Sequence, residues 1–222
     1  MVAKHVNNKT KIRLIMDCLM SGVHGVSILK EPILLPRIAD LVYDVLALME
    51  QCVDGEAIHF MVLDFVDAFF RMPLNPDERH LYVVEFEGRF HRWNRIAQGS
   101  TNGPQLLGRL AALIGRLTQS TFDPKYTRMH IYLDDPVMVL RGTPKQARDN
   151  AAQAILLWRC MLVALAYPKG QFGQSVTWIG HDVQVNMREL SVTAAIKQAF
   201  MGGLLAEATA TLKTNKIKIK EL

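Results

Sequence analysis

The 222-residue chain has only three cysteines, Cys18, Cys52 and Cys160, far apart and without a C-x-x-C pair. No paired histidines stand at ligand spacing, so a structural zinc site is not expected. So sparse and odd a cysteine count argues against a disulfide-stapled secreted domain. It points to a reducing compartment, intracellular and either cytoplasmic or nuclear. The first residues, MVAKHVNNKTKIR, are polar and basic and lack the apolar core of a signal peptide. Long apolar runs are missing too. The best candidate, Ala151–Pro168, carries Arg159 at its centre and ends on a proline, which is too short and too interrupted to span a bilayer. No membrane partner is expected. Internal repeats and low-complexity segments are also absent, which leaves an ordinary globular chain, half apolar and 21% charged.

Acidic residues are lacking where the bases concentrate. Residues 1–13 hold Lys4, Lys9, Lys11 and Arg13 and no acid, and residues 204–222 hold four lysines against Glu207 and Glu221. These ends account for more than the formal net charge of +5, leaving the middle at −1. Basic ends suit a polyanionic partner, and they suit equally a protein with solvated termini.

Periodicity divides the rest into short elements. Arg13–Met16 reads as a strand. Pro36 opens a helix with Ile38, Leu41, Val42, Val45, Leu48 and Met49 on one stripe, and Asp54-Gly55 stops it. Ile58–Phe65 is an apolar run of strand length. Leu81–Phe86, Glu87-Gly88 and Arg89–Trp93 read as a hairpin. Pro104 opens a second helix, with Leu106, Leu107, Leu110, Leu113, Ile114 and Leu117 on one face. Arg128–Leu133 and Val137–Leu140 are short strands around Asp134-Asp135-Pro136. Thr143-Pro144 supplies a cap and a first-turn proline for a third helix to about Ala166, and Ser175–Val185 reads as a last strand pair. The order predicts an α+β domain with helices packed on one face of an antiparallel sheet.

Three carboxylates need a reason. Asp64 ends an apolar run that should be buried, and a lone buried carboxylate is costly unless capped, paired or bound to a cation. Asp134 and Asp135 lie between two strands, where aspartates commonly bond a turn backbone. Two adjacent carboxylates in a tight hairpin also repel each other, and a divalent cation relieves that. Neighbouring strands would bring Asp64 and Asp134 side by side. Converging carboxylates without histidine or cysteine make a hard, all-oxygen site, suited to Mg²⁺ or Mn²⁺ and, with two ions, to phosphoryl transfer.

At these residues the chain resembles the reverse transcriptases of LTR retrotransposons and retroviruses. Leu63-Asp64-Phe65-Val66-Asp67-Ala68-Phe69-Phe70, followed by Met72-Pro73-Leu74 and Pro76, resembles their motif A. Ile131-Tyr132-Leu133-Asp134-Asp135 resembles the Tyr-x-Asp-Asp of motif C, and Gln98-Gly99-Ser100-Thr101-Asn102-Gly103-Pro104 resembles motif B. Lys11–Asp17 is similar to the strand that holds the incoming triphosphate, Tyr167-Pro168-Lys169-Gly170 to motif D, and Trp178-Ile179-Gly180-His181 to the primer grip. These landmarks stand in the family's order over about residues 11–185.

The resemblance implies a polymerase palm, an antiparallel sheet backed by helices, with partial fingers and a thumb largely absent. Fingers would be residues 1–26 and 72–102, palm residues 27–71 and 103–185, and residues 186–222 a truncated thumb-side tail. It implies RNA-directed DNA synthesis with two Mg²⁺ or Mn²⁺ ions, held by Asp64, Asp134 and the Phe65 carbonyl. Asp135 would support that site, and Lys169 would protonate the leaving pyrophosphate. Arg13 and Lys11 would grip the triphosphate, Gln98 and Gly99 would pack against the nucleotide, and Phe69 would block a ribose 2′-hydroxyl. Tyr132, Trp178, Ile179 and Gly180 would meet the primer. The implied partners are an RNA or DNA template with its primer, dNTPs, and further polyprotein domains such as RNase H and integrase.

Some positions depart from the pattern. Ala97 stands where motif B usually has proline, and Leu19 where relatives often have arginine. Pro136 cannot donate to a sheet ladder, which predicts a bulge or edge position beside the Asp pair. The alternative reading is therefore a catalytically decayed copy that only binds nucleic acid.

Overall fold

The computed structural model describes residues 2–6, 9–13, 15, 16, 22, 25, 28 and 31–197, the first two stretches as backbone only. In these, β1 (Val2–Val6) and β2 (Lys9–Arg13) form an antiparallel hairpin, Val2 opposite Arg13. The lysine tail beyond residue 197 lies outside the described residues.

The centre of the fold is a four-stranded antiparallel sheet. It is built from β3 (Ala57–Val62), β6 (Thr127–Tyr132), β7 (Asp135–Gly142) and β8 (Gln171–Gly173), in the order β6-β7-β3-β8. Helices were expected on one face only; the sheet is buried on both. On one side Met61, Leu63, Met138 and Leu140 meet Leu107 and Ile114 of α3 (Gly103–Gln119) and Ala151 and Trp158 of α4 (Pro144–Cys160). On the other, Ile58, Phe60, Val62, Val137 and Val139 meet Leu41, Val45 and Leu48 of α1 (Ile38–Met49). That side is completed by a second sheet of β9 (Ser175–Trp178), β10 (His181–Asn186) and β11 (Ser191–Ile196). The signal was in the composition of β3 and β7, which are continuous apolar runs rather than alternating ones, as strands covered on both faces must be.

The helices depart from their sequence reading in two informative places. Along α3 the buried stripe is Leu107, Ala111, Ile114 and Thr118, while Leu106, Leu110, Leu113 and Leu117 are exposed. The six apolar residues do not make one buried face, because an alanine and a threonine serve the core instead. Thr118 earns its buried place by accepting the Trp158 indole N–H at 2.8 Å while donating to the Ile114 carbonyl. The α4 helix starts as expected, with a reciprocal Thr143–Gln146 capping box. It stops at Cys160, six residues early, because Leu162 turns left-handed (φ +59°) and Leu165 bridges to Phe65.

Pro136 is neither at an edge nor in a bulge. β7 is an inner strand, and its register with β6 runs unbroken from Tyr132–Asp135 through Ile131–Pro136 to Thr127–Leu140. The proline is the second residue of its strand, and its carbonyl still accepts from Leu63 N–H at 3.2 Å. Between β3 and α3 lie the single turn α2 (Ala68–Arg71), a 3₁₀ turn (Pro76–Leu81), and the hairpin of β4 (Val83–Phe86) and β5 (Arg89–Arg92). A third strand in the second sheet, β11, was unread in the sequence. It falls in the segment set apart as a tail.

Candidate active site

Asp64 stands two residues beyond the end of β3, and the neighbouring chain fixes it from both sides. Toward β7, Leu63 N–H donates to the Pro136 carbonyl and Phe65 N–H to the Asp134 carbonyl, at 3.2 and 2.8 Å. Away from β7, Ala166 N–H donates to the Asp64 carbonyl and Val66 N–H to the Ala164 carbonyl, both at 2.8 Å. The backbone of the carboxylate is therefore held within a three-strand frame, while its side chain is 13% exposed. The early end of α4 is what frees residues 163–166 to form the outer strand of that frame.

The two aspartates of the hairpin have different local roles. The turn is Leu133-Asp134, with Leu133 at φ +56°, a conformation unusual for a bulky residue. Asp135 is already in β7, opposite Tyr132. Burial first, and the adjacent Asp134 carboxylate second, push the Asp135 carboxyl up to about 6. Its carbonyl accepts the Trp178 indole N–H at 3.0 Å. That bond draws the β9–β10 hairpin, whose tip is Ile179-Gly180 with φ of +39° and +77°, against the aspartate turn. Tyr132, Trp178, Ile179 and Gly180 therefore lie about one junction.

Lys169, in the 3₁₀ turn Tyr167–Lys169, forms an ion pair with Asp64. The sequence singled out both residues but did not foresee their direct pairing. An ammonium on this carboxylate marks the position as one where positive charge is stabilised. Among the described residues, no three histidine, cysteine or carboxylate side chains form a ready-made metal cage. Yet two carboxylates on adjoining strand ends are what a Mg²⁺ ion usually takes from a protein, since waters and substrate oxygens fill its other positions. The donor set fits a hard divalent cation.

Gln98 and Gly99 lie at a second junction. Ile15 bridges Gln98 in parallel, and Met16 N–H donates to the Gln98 carbonyl at 2.8 Å. Gly99 has φ +98°, and a Cβ there would lie 2.2 Å from the Met16 carbonyl oxygen, so only glycine allows this approach. Lys11 and Arg13 fall on β2, four and two residues before Ile15 along the chain; their side chains lie outside the described residues. Phe69 is half-buried against the core, its ring beside Gly103 at the start of α3. One further pair, unread in the sequence, is His130 with Asp44 of α1 at 2.9 Å, beside Trp178. Neither residue stood in a recognisable spacing, because 86 positions separate them.

Comparison with known proteins gives a consistent result. The sequence profile of the family described as reverse transcriptase (RNA-dependent DNA polymerase) matches residues 4–183. The Gag-Pol polyprotein of Avian reticuloendotheliosis virus is 29% identical over 150 residues, covering 61% of this chain and 12% of the polyprotein. That of Walleye dermal sarcoma virus is 29% identical over 92 residues, covering 41% of this chain and 5% of the polyprotein. The chain thus spans a small part of each. Among solved structures, a foamy viral protease-reverse transcriptase in complex with dsDNA aligns with TM-score 0.55 at 14% identity, covering 86% of this chain and 34% of that one. An apo telomerase from Candida tropicalis aligns with TM-score 0.51 at 10% identity, covering 71% of this chain and 40% of that one. At such identities the likeness is one of fold. Among the described residues, no helix is long and apolar enough to cross a membrane.

Proposed function

The chain belongs to the reverse transcriptase family, and from that premise we propose that it extends a primer 3′-hydroxyl with dNTPs on an RNA or DNA template. The observation that carries this reading is the backbone frame around Asp64. It holds the backbone on either side of Asp64 to that of Asp134 and Pro136, which supports a shared site for the carboxylates. In this reading Asp64, Asp134 and the Phe65 carbonyl hold two Mg²⁺ or Mn²⁺ ions. Bound there, such ions supply an activated 3′-oxygen and neutralise charge building on the phosphates.

The chain's own residues do the rest. Asp135 holds the turn through its carbonyl bond to Trp178, and it supports Asp134 rather than ligating. Tyr132 and the Trp178-Ile179-Gly180 tip steady the primer end. Gln98 and Gly99 pack beneath the incoming nucleotide, Arg13 and Lys11 take its triphosphate, and Phe69 closes the space beside C2′. Lys169 Nζ gives a proton to the pyrophosphate oxygen as it leaves. RNase H and integrase domains are proposed as neighbours in a longer polyprotein, by analogy with the Gag-Pol relatives.

The second reading, a decayed copy that binds without extending, drew on Pro136 and on the largely absent thumb. The unbroken register through that residue removes the argument for a displaced turn. Primer extension on RNA and DNA templates, with Mg²⁺ and then Mn²⁺, separates the two. A polymerase lengthens the primer with at least one ion, and a remnant retains the duplex unextended.

A further inference from the structure

The leucines of α3 that miss the core make a second apolar face. Leu106, Leu110, Leu113 and Leu117 follow one another by four, three and four residues, the alternation of a coiled-coil seam. Each is between 39% and 47% exposed. The buried stripe of the same helix lies about 100° round its axis, so the core does not account for the seam. Facing it is the segment after α4, where Leu162 is 89% exposed and held left-handed at φ +59°. A bulky residue is unfavourable in that conformation, and its side chain gains nothing from water. Between seam and segment runs an open groove of about 290 Å³, floored by Phe65, Val66 and Ala68 and rimmed by Arg71. An apolar patch of this kind marks a site of contact.

Spacing and charge define the occupant. A seam of alternating three and four residues takes the apolar stripe of a second helix, knobs into holes. The bases define that helix's flanks. Arg109 and Arg116 are exposed on the side of the seam away from the core, and α3 contains no acid. Glu31 meets Arg109 at 2.6 Å, whereas among the described residues Arg71 and Arg116 have no acidic partner. Asp67, next to the floor, offsets one of these charges. A second copy of this chain suits the groove less well. Packed antiparallel seam to seam, two copies would bring their arginines to one flank, like charge against like.

We propose that the groove between α3 and residues 161–164 docks an amphipathic helix of another protein, apolar along one stripe and acidic on its flanks. Leu110, Leu113 and Leu162 grip the stripe, and Arg71 and Arg116 meet the acids. The surface takes no part in the proposed nucleotide chemistry, so it stands or falls apart from the polymerase reading.

The test follows two labelled synthetic peptides by fluorescence anisotropy with the full chain. Both carry leucine at the a and d positions of about three heptads; one has glutamate at e and g, the other lysine. Wild type should bind the glutamate peptide about 5-fold or more tightly than the lysine peptide, with the difference shrinking as salt is raised. Leu113→Ser combined with Leu162→Ser should weaken glutamate-peptide binding about 10-fold or more. Both side chains are exposed, so the melting curve should not move. Arg71→Glu with Arg116→Glu should reverse the order of the two peptides. Failure of the glutamate peptide to bind, or equal affinity for both, would overturn the proposal. A dimer in light scattering that the double serine variant dissociates would also overturn it, giving the face to a second copy. Binding that appears only in Leu205→Ser with Leu212→Ser would overturn it too, giving the face to the chain's own tail.

Discussion

Trp178, 2% exposed, donates its indole N–H to the carbonyl of Asp135 at 3.0 Å, and so ties the second sheet to the aspartate turn of the first. Trp178→Phe keeps a large ring but takes the indole donor from that part-buried carbonyl. The expected cost is about 1–3 kcal/mol. Urea denaturation should read it as a lower midpoint at unchanged slope, and the primer KM should rise at temperatures where the variant stays folded.

Two glycines with positive φ should respond differently to the same substitution. At Gly99 an added methyl meets the Met16 carbonyl, while at Gly180 nothing lies within 4 Å. Gly180→Ala should cost only the left-handed penalty, about 1–2 kcal/mol. Gly99→Ala pays that penalty and must also push residues 15 and 16 away from Gln98. Thermal melts should therefore rank Gly99→Ala clearly below Gly180→Ala. Equal melting points would contradict the close approach.

These contrasts show where the sequence was legible. The Thr143-Pro144 cap, the Glu87-Gly88 hairpin turn and the apolar runs of β3 and β7 each state a local rule, and each element formed where that rule put it. Asp64 and the Asp134-Asp135 pair stood out because carboxylates at the ends of apolar strands are expensive. What could not be read was set by distant partners. Pro136 looks like a ladder-breaker until its strand neighbours are known, and the end of α4 depends on a bridge from Leu165 back to Phe65. The pairings of Lys169 with Asp64 and of Trp178 with Asp135 span 105 and 43 positions, and no periodicity carries such information.

Asp135 should make the cation-free protein pH-sensitive. Its folded carboxyl is raised from 3.8 to about 6, so between those values the folded chain keeps a proton that the unfolded chain releases. The contribution of Asp135 to stability is therefore greatest below about pH 4 and is lost as pH rises toward 6. Discounted for partial solvation, the loss is on the order of 1 kcal/mol. Asp135→Asn should remove this contribution, matching wild type at pH 4 and exceeding it at pH 7, in urea titrations run with chelator. A stability difference between Asp135→Asn and wild type that does not grow from pH 4 to pH 7 would contradict the assignment.

Phe69 packs beside Gly103 with its ring half-buried, close to the start of α3. Phe69→Val should open room at the sugar, so the kcat/KM ratio of ribonucleotide to deoxyribonucleotide rises, on the order of 10-fold or more. An unchanged ratio would leave the ring a packing residue only.

The central claim is that Asp64 and Asp134 form one cation-dependent centre for nucleotide addition. Single-nucleotide incorporation by Asp64→Asn, Asp134→Asn and Asp135→Asn, in Mg²⁺ at saturating primer–template, addresses it most directly. The first two should fall at least about 10²–10³-fold with melting curves that remain cooperative, and Asp135→Asn should fall less. Near wild-type incorporation by either Asp64→Asn or Asp134→Asn would contradict the account.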